Sequence, residues 1–125
     1  MARILIAEDE DALRALTARA LSDSGHDVVT AIDGADALDI LTRENGQFQL
    51  LLTDIKMPLM DGIALALSVA RDYPQIIILL MTAYADQRER AANLDALIHD
   101  VVLKPFTLAE IKAAVADALM AHAKH

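Results

Sequence analysis

The chain has 125 residues, 55% hydrophobic but only 3% aromatic, with no cysteine and a formal net charge of −8. That length holds one domain with one core, filled by Leu, Ile, Val and Ala, and the missing thiols exclude disulfides, thiolate metal sites and thiol catalysis. The 11 Lys and Arg residues are scattered, which argues against nucleic-acid binding. No leader precedes the first apolar run and no stretch nears the roughly 20 residues that cross a bilayer, so a cytoplasmic protein off the membrane is expected.

Short apolar runs alternate with helical patterns along the whole chain. The first run is Ile4 to Ala7, followed by Leu13, Leu16, Ala20 and Leu21 on one predicted helical face. Val28 to Ala31 comes next, shorter and expected near a sheet edge, then a helix carrying Ala37, Leu38 and Leu41. Leu50 to Thr53 leads to Asp54, Met57-Pro58 and Asp61-Gly62, and Ile63, Ala66, Leu67 and Ala70 mark the third helix. Ile76 to Met81 precedes a fourth helix near Asp86 to Leu94, whose apolar face is thin. Val101 to Leu103 precedes the last helix, where Leu108, Ile111, Val115 and Leu119 follow spacings of three and four and Thr107 is placed to cap the start.

Alternation of this kind implies parallel strands joined by right-handed crossovers, with helices on both faces. The expected fold is an α/β, flavodoxin-like (βα)5 three-layer sandwich with a five-stranded parallel sheet in the order 2-1-3-4-5. Every strand then ends at one rim, where Glu8, Asp9, Asp54, Thr82 and Lys104 converge although they lie far apart in the chain. Each also has a plainer reading: Asp9 to Asp11 as helix caps, Thr82 as a strand end, Lys104 as a surface lysine. Three carboxylates with little to neutralise them repel one another, a cost that a divalent cation removes, and all-oxygen ligation suits Mg²⁺.

The set Glu8-Asp9, Asp54 with Met57-Pro58 and Asp61-Gly62, Thr82-Ala83 and Lys104-Pro105-Phe106 resembles the receiver domain of two-component response regulators, over essentially residues 1–125 and with no attached output domain. The resemblance implies that Asp54 is the phosphoacceptor, served by a histidine kinase or histidine phosphotransferase. It further implies Mg²⁺ held by Asp9, Asp54 and the backbone carbonyl of Lys56, with Glu8 assisting through water. Lys104 and Thr82 would bind phosphoryl oxygens, neither needing to act as acid or base, and the Lys104 to Pro105 peptide bond would be cis.

Several positions depart from the family pattern. The acidic pair is Glu-Asp rather than Asp-Asp, and Lys56 and Tyr84 are large side chains on the expected path of hydrolytic water. Where the family carries an inward-turning aromatic, three residues before the lysine, this chain has Val101, so Tyr84 is the expected substitute switch beside Thr82. His26, His99, His122 and His125 share no metal-ligand spacing and are read as surface residues.

The expected output is binding to a protein partner by a monomer or weak homodimer. Among single-domain receivers the chain resembles the CpdR type, which couples a phosphorelay to ClpXP proteolysis, so ClpX is the named candidate partner. A CheY-like motor regulator and a phosphorelay intermediate or sink are the alternatives. From another class, an aspartate-nucleophile phosphatase requires a second aspartate where Lys56 stands, and a flavin site is disfavoured by the acidic Glu8-Asp9-Glu10-Asp11 loop.

Overall fold

Successive residues of the buried strands point to opposite sides of the sheet, and here both sides are apolar. The computed structural model describes residues 2–123, the side chain of Ala85 excepted. Its elements are β1 (Arg3–Ala7), α1 (Asp11–Asp23), β2 (Asp27–Ala31), α2 (Gly34–Arg43), β3 (Leu50–Asp54), α3 (Gly62–Asp72), β4 (Ile77–Thr82), α4 (Ala85–Ala92), β5 (Asp100–Leu103) and α5 (Leu108–Ala123). The five strands are parallel in the order β2-β1-β3-β4-β5, which is the expected flavodoxin-like arrangement.

Period two divides the interior in two. Leu5, Ala7, Leu51, Ile78 and Leu80 meet Ala37, Ile40 and Leu41 of α2, Leu65, Ala66 and Val69 of α3, and Ala91 of α4. Ile4, Ile6, Leu50, Leu52, Leu79 and Met81 face the other way, onto Leu21 of α1 and Ile111, Val115 and Ala118 of α5. β1, β3 and β4 therefore read as unbroken apolar runs, as strands buried on both faces do, and each buried Leu or Ile contributes about 1.5–3 kcal/mol. The two edge strands are only partly covered.

The helical faces differ in detail from the sequence pattern. On α1 the buried stripe is Thr17, Ala20 and Leu21, while Leu16 is exposed. Thr17 occupies the inward position one turn before Leu21, so Leu16 is rotated to the margin. The wholly apolar start of α3 permits several stripes; packing selects Ile63, Leu65, Ala66 and Val69 and leaves Leu67 outside. Leu108 of α5 is likewise exposed, although the predicted cap forms: Thr107 Oγ1 accepts the Glu110 N–H at 3.0 Å and Glu110 Oε1 accepts the Thr107 N–H at 2.9 Å.

Helix α4 is the lightest of the five helices. It has eight residues, its N-cap Tyr84 makes no side-chain capping bond, and among its described side chains only Ala91 is buried. Arg90 reaches across to Asp61 at 3.4 Å, tying α4 to the start of α3.

The histidines do not all lie free on the surface, since tertiary folding gives two of them partners that their spacing does not reveal. His26 is half-buried and its Nδ1 accepts the Ala2 N–H at 3.1 Å. His99, with its side chain 18% exposed, pairs with Asp117. His122 is exposed, and His125 lies outside the described residues.

Candidate functional site

Parallel strands deliver their last side chains to one edge, and at this edge three strand ends are charged or hydroxylated. Asp54 closes β3 at 7% exposure, Thr82 closes β4 fully buried, and Glu8, just past β1, is 1% exposed. Lys104 follows β5, held by its N–H to the Thr82 carbonyl at 2.8 Å. The Lys104–Pro105 peptide bond is cis, as the receiver-domain resemblance implies.

Lys104 Nζ donates to Glu8 Oε1 at 2.7 Å and to Asp54 Oδ2 at 3.0 Å. Glu8 Oε2 accepts the Glu10 N–H at 3.0 Å, so both oxygens of this buried carboxylate are engaged. Arg14 fixes the same loop, one arm on the Glu8 carbonyl at 2.9 Å and the other on Asp11. Glu8 is therefore first the counter-ion of Lys104. The plain capping reading of Asp9 to Asp11 fails, because the N-cap of α1 is Glu10 and no side chain caps it.

Glu8, Asp9 and Asp54 each present a carboxylate oxygen within 4.8 Å of the others, the only group of three or more metal-ligating side chains among the described residues. Burial, then a hydrogen bond with Glu8, hold the Asp9 carboxyl above its ordinary range. Such crowded, all-oxygen donors fit a hard divalent cation. Burial works to lower the Lys104 ammonium, but its hydrogen bonds to Glu8 and Asp54 outweigh that and raise it.

The crevice over these groups, about 320 Å³, is lined also by Glu10, Lys56, Ala83 and Tyr84. Lys56 Nζ stands 4.8 Å from the centre of the Tyr84 ring, so the two large side chains meet at the mouth. Thr82 Oγ1 accepts the Tyr84 N–H at 3.1 Å. Val101, in the aromatic's usual place, is half-buried against the core beside Leu80, its partner in the sheet. The Asp61–Arg90 contact and the Arg14 bracket were missed from the sequence; both partners are ordinary charged residues whose pairing only the fold sets.

The raised Asp9 carboxyl has a consequence for stability. Its proton is held more tightly in the folded chain than in the unfolded one, so protonation favours folding: that contribution is complete below about pH 3.9, the unfolded value, and lost as pH rises through the folded one. Asp9→Asn should therefore melt higher than the wild type in EDTA at pH 8, with the gap closing towards pH 4. Melting curves across that range check it, and equal midpoints at pH 8 would refute it.

A 2-1-3-4-5 sheet with an acidic crevice at the carboxyl ends of its strands defines a flavodoxin-like α/β domain with an oxygen-lined rim site. The chain belongs to the response regulator receiver domain family, whose profile matches residues 4–116. It is 36% identical over 111 residues to the response regulator MprA of Mycobacterium sp. (strain KMS), covering 89% of this chain and 47% of that protein. The chain thus spans about half the length of the curated relatives it matches. A CheY-like receiver domain protein from Methanospirillum hungatei JF-1 superposes with a TM-score of 0.89 at 27% identity, covering 99% of this chain and 98% of that one. The response regulator TrrA of Thermotoga maritima, solved in complex with Mg²⁺-BeF, does so with a TM-score of 0.83 at 30% identity, over 95% of this chain and 100% of that one.

Proposed function

We propose that this chain is a phosphorylation-controlled signalling module in which Asp54 accepts a phosphoryl group from a phosphohistidine of a histidine kinase or histidine phosphotransferase. The observation that carries the reading is Asp54 itself, a nearly buried carboxylate on the crevice floor with Lys104 on one oxygen and Glu8 and Asp9 beside it. Lys104 occupies Oδ2, which leaves Oδ1 as the nucleophile. As the Oδ1–P bond forms, the P–N bond to the donor imidazole breaks and its electron pair leaves with the ring nitrogen. Asp9, Asp54 and the Lys56 carbonyl would hold Mg²⁺, with Glu8 acting through water, and the ion when bound supplies charge neutralisation for the phosphoryl oxygens.

Lys104 then pairs with one phosphoryl oxygen while the Thr82 hydroxyl donates its proton to another. A hydroxyl donates and accepts at once, so Thr82 keeps the Tyr84 N–H as it turns inward. The pull is thereby passed to the N-cap residue of α4, the helix with the least burial. Tyr84 is the switch residue in this reading, in place of the aromatic for which Val101 stands. Tyr84→Ala should reduce the preference of a partner for the phosphorylated or unphosphorylated form by about 5-fold or more; pull-downs with and without beryllofluoride measure it, and unchanged preference refutes the coupling.

The output we propose is binding to a protein partner, with the ClpXP adaptor role of the CpdR type as the specific form, supported by the resemblance of residues 3–10 and 51–58. Retention of ClpX by immobilised Asp54→Ala protein tests that form, and no retention in either state removes it. The reading of Asp54 has its own test: acetyl phosphate with Mg²⁺ should add about 80 Da, one phosphoryl group, to the wild type and nothing to Asp54→Asn. A mass gain that persists in Asp54→Asn would overturn it.

A further inference from the structure

At the edge of the sheet opposite Asp54, β5 begins and α5 ends. His99, immediately before β5, and His122, in the last turn of α5, meet here with ring centroids 5.5 Å apart and planes at 62°. His99 is firmly placed, its N–H on the Ile78 carbonyl at 2.8 Å and its Nε2 3.1 Å from Asp117 Oδ2 of α5. A carboxylate only accepts, so Nε2 carries the proton and donates, which leaves the lone pair of the neutral ring on Nδ1. A carboxylate behind an imidazole in this way orients it and raises its basicity as a metal ligand. Two imidazoles sharing one ion, each nitrogen about 2.0–2.1 Å from it, bring their centroids to about 5–6 Å. The observed separation falls in that range.

We propose that His99 and His122 form a second cation site, for a borderline transition ion such as Zn²⁺, with Asp117 orienting His99 and water filling the remaining positions. Imidazole donors suit Zn²⁺, Cu²⁺ or Ni²⁺ and not Mg²⁺, whereas the cluster of Glu8, Asp9 and Asp54 is all oxygen and lies at the other end of the strands. The ion clamps the end of α5 to the entry of β5. The alternative is an edge-to-face contact of two rings that binds nothing.

Zn²⁺ titrated into the full chain in millimolar Mg²⁺, followed by calorimetry and by the histidine ring resonances, separates the two. One ion per chain should shift the His99 and His122 signals together. His122→Ala, at an exposed position, and His99→Gln should each weaken binding at least about 10-fold, and Asp117→Asn by about 10-fold through the lost orienting bond. His26→Asn and Asp54→Asn should leave it unchanged, the latter keeping this site independent of the phosphoryl acceptor. Affinity unaltered in His122→Ala, or shifts confined to other histidines, would overturn the site.

Discussion

Gly62→Ala is expected to be among the most damaging single substitutions in this chain. Gly62 opens α3 with its N–H on the Ile55 carbonyl at 2.7 Å, which draws the helix start against the end of β3. A methyl group there would drive into the Asp54 carbonyl oxygen and lie 2.8 Å from its carbon and 2.9 Å from the Ile55 Cα. These are backbone atoms and no rotamer relieves the collision, so α3 must withdraw from β3. Overpacking of this kind costs about 3 kcal/mol or more, against a total stability of roughly 5–15 kcal/mol. The denaturation midpoint should fall accordingly, and phosphoryl uptake with it, since the displaced carbonyl belongs to Asp54. A variant within about 1 kcal/mol of the wild type would show that the approach relaxes freely.

The second large effect is expected at Lys104. Its ammonium is the partner of two buried carboxylates, Glu8 and Asp54, with side chains 1% and 9% exposed. Lys104→Met keeps most of the volume and removes the charge, leaving the acids to face each other and Asp9. Stripping one partner from a buried ion set costs on the order of 3 kcal/mol. The deficit should shrink in acid, where the carboxylates take up protons instead, and Mg²⁺ should recover part of it at neutral pH. Denaturant titrations at pH 5 and pH 8, with Mg²⁺ or EDTA, read these differences; a loss independent of both pH and Mg²⁺ would mean that packing, not charge, governs the position. Phosphoryl uptake should fall with the lysine, because Lys104 is the side chain bonded to Asp54 while the other crevice lysine, Lys56, lies over the Tyr84 ring.

Much of this was visible in the sequence because apolar runs bounded by charge specify buried parallel strands, and five strands with intervening helices admit few arrangements. Asp54 announced itself by ending such a run before Pro58. The cap at Thr107 was readable because a capping box is local. Less was readable on α1 and α3, where apolar residues occur all round the helix and only packing decides that Thr17 turns in and Leu16 turns out. Glu8 was expected to assist a metal, yet its buried bond to Lys104 depends on a side chain 96 positions away, and no local pattern encodes that. The meeting of His99 with His122 and Asp117 was hidden for the same reason: β5 and α5 run in opposite senses and return to one corner.

The bond from Lys104 to Glu8 spans nearly the entire polypeptide, from the first strand to just beyond the fifth. A nascent or truncated chain lacking β5 and Lys104 would carry every acid of the crevice without the ammonium that bonds both Glu8 and Asp54. On the function proposed above, the acceptor carboxylate is therefore assembled only when the last strand has docked and brought Lys104 to the rim.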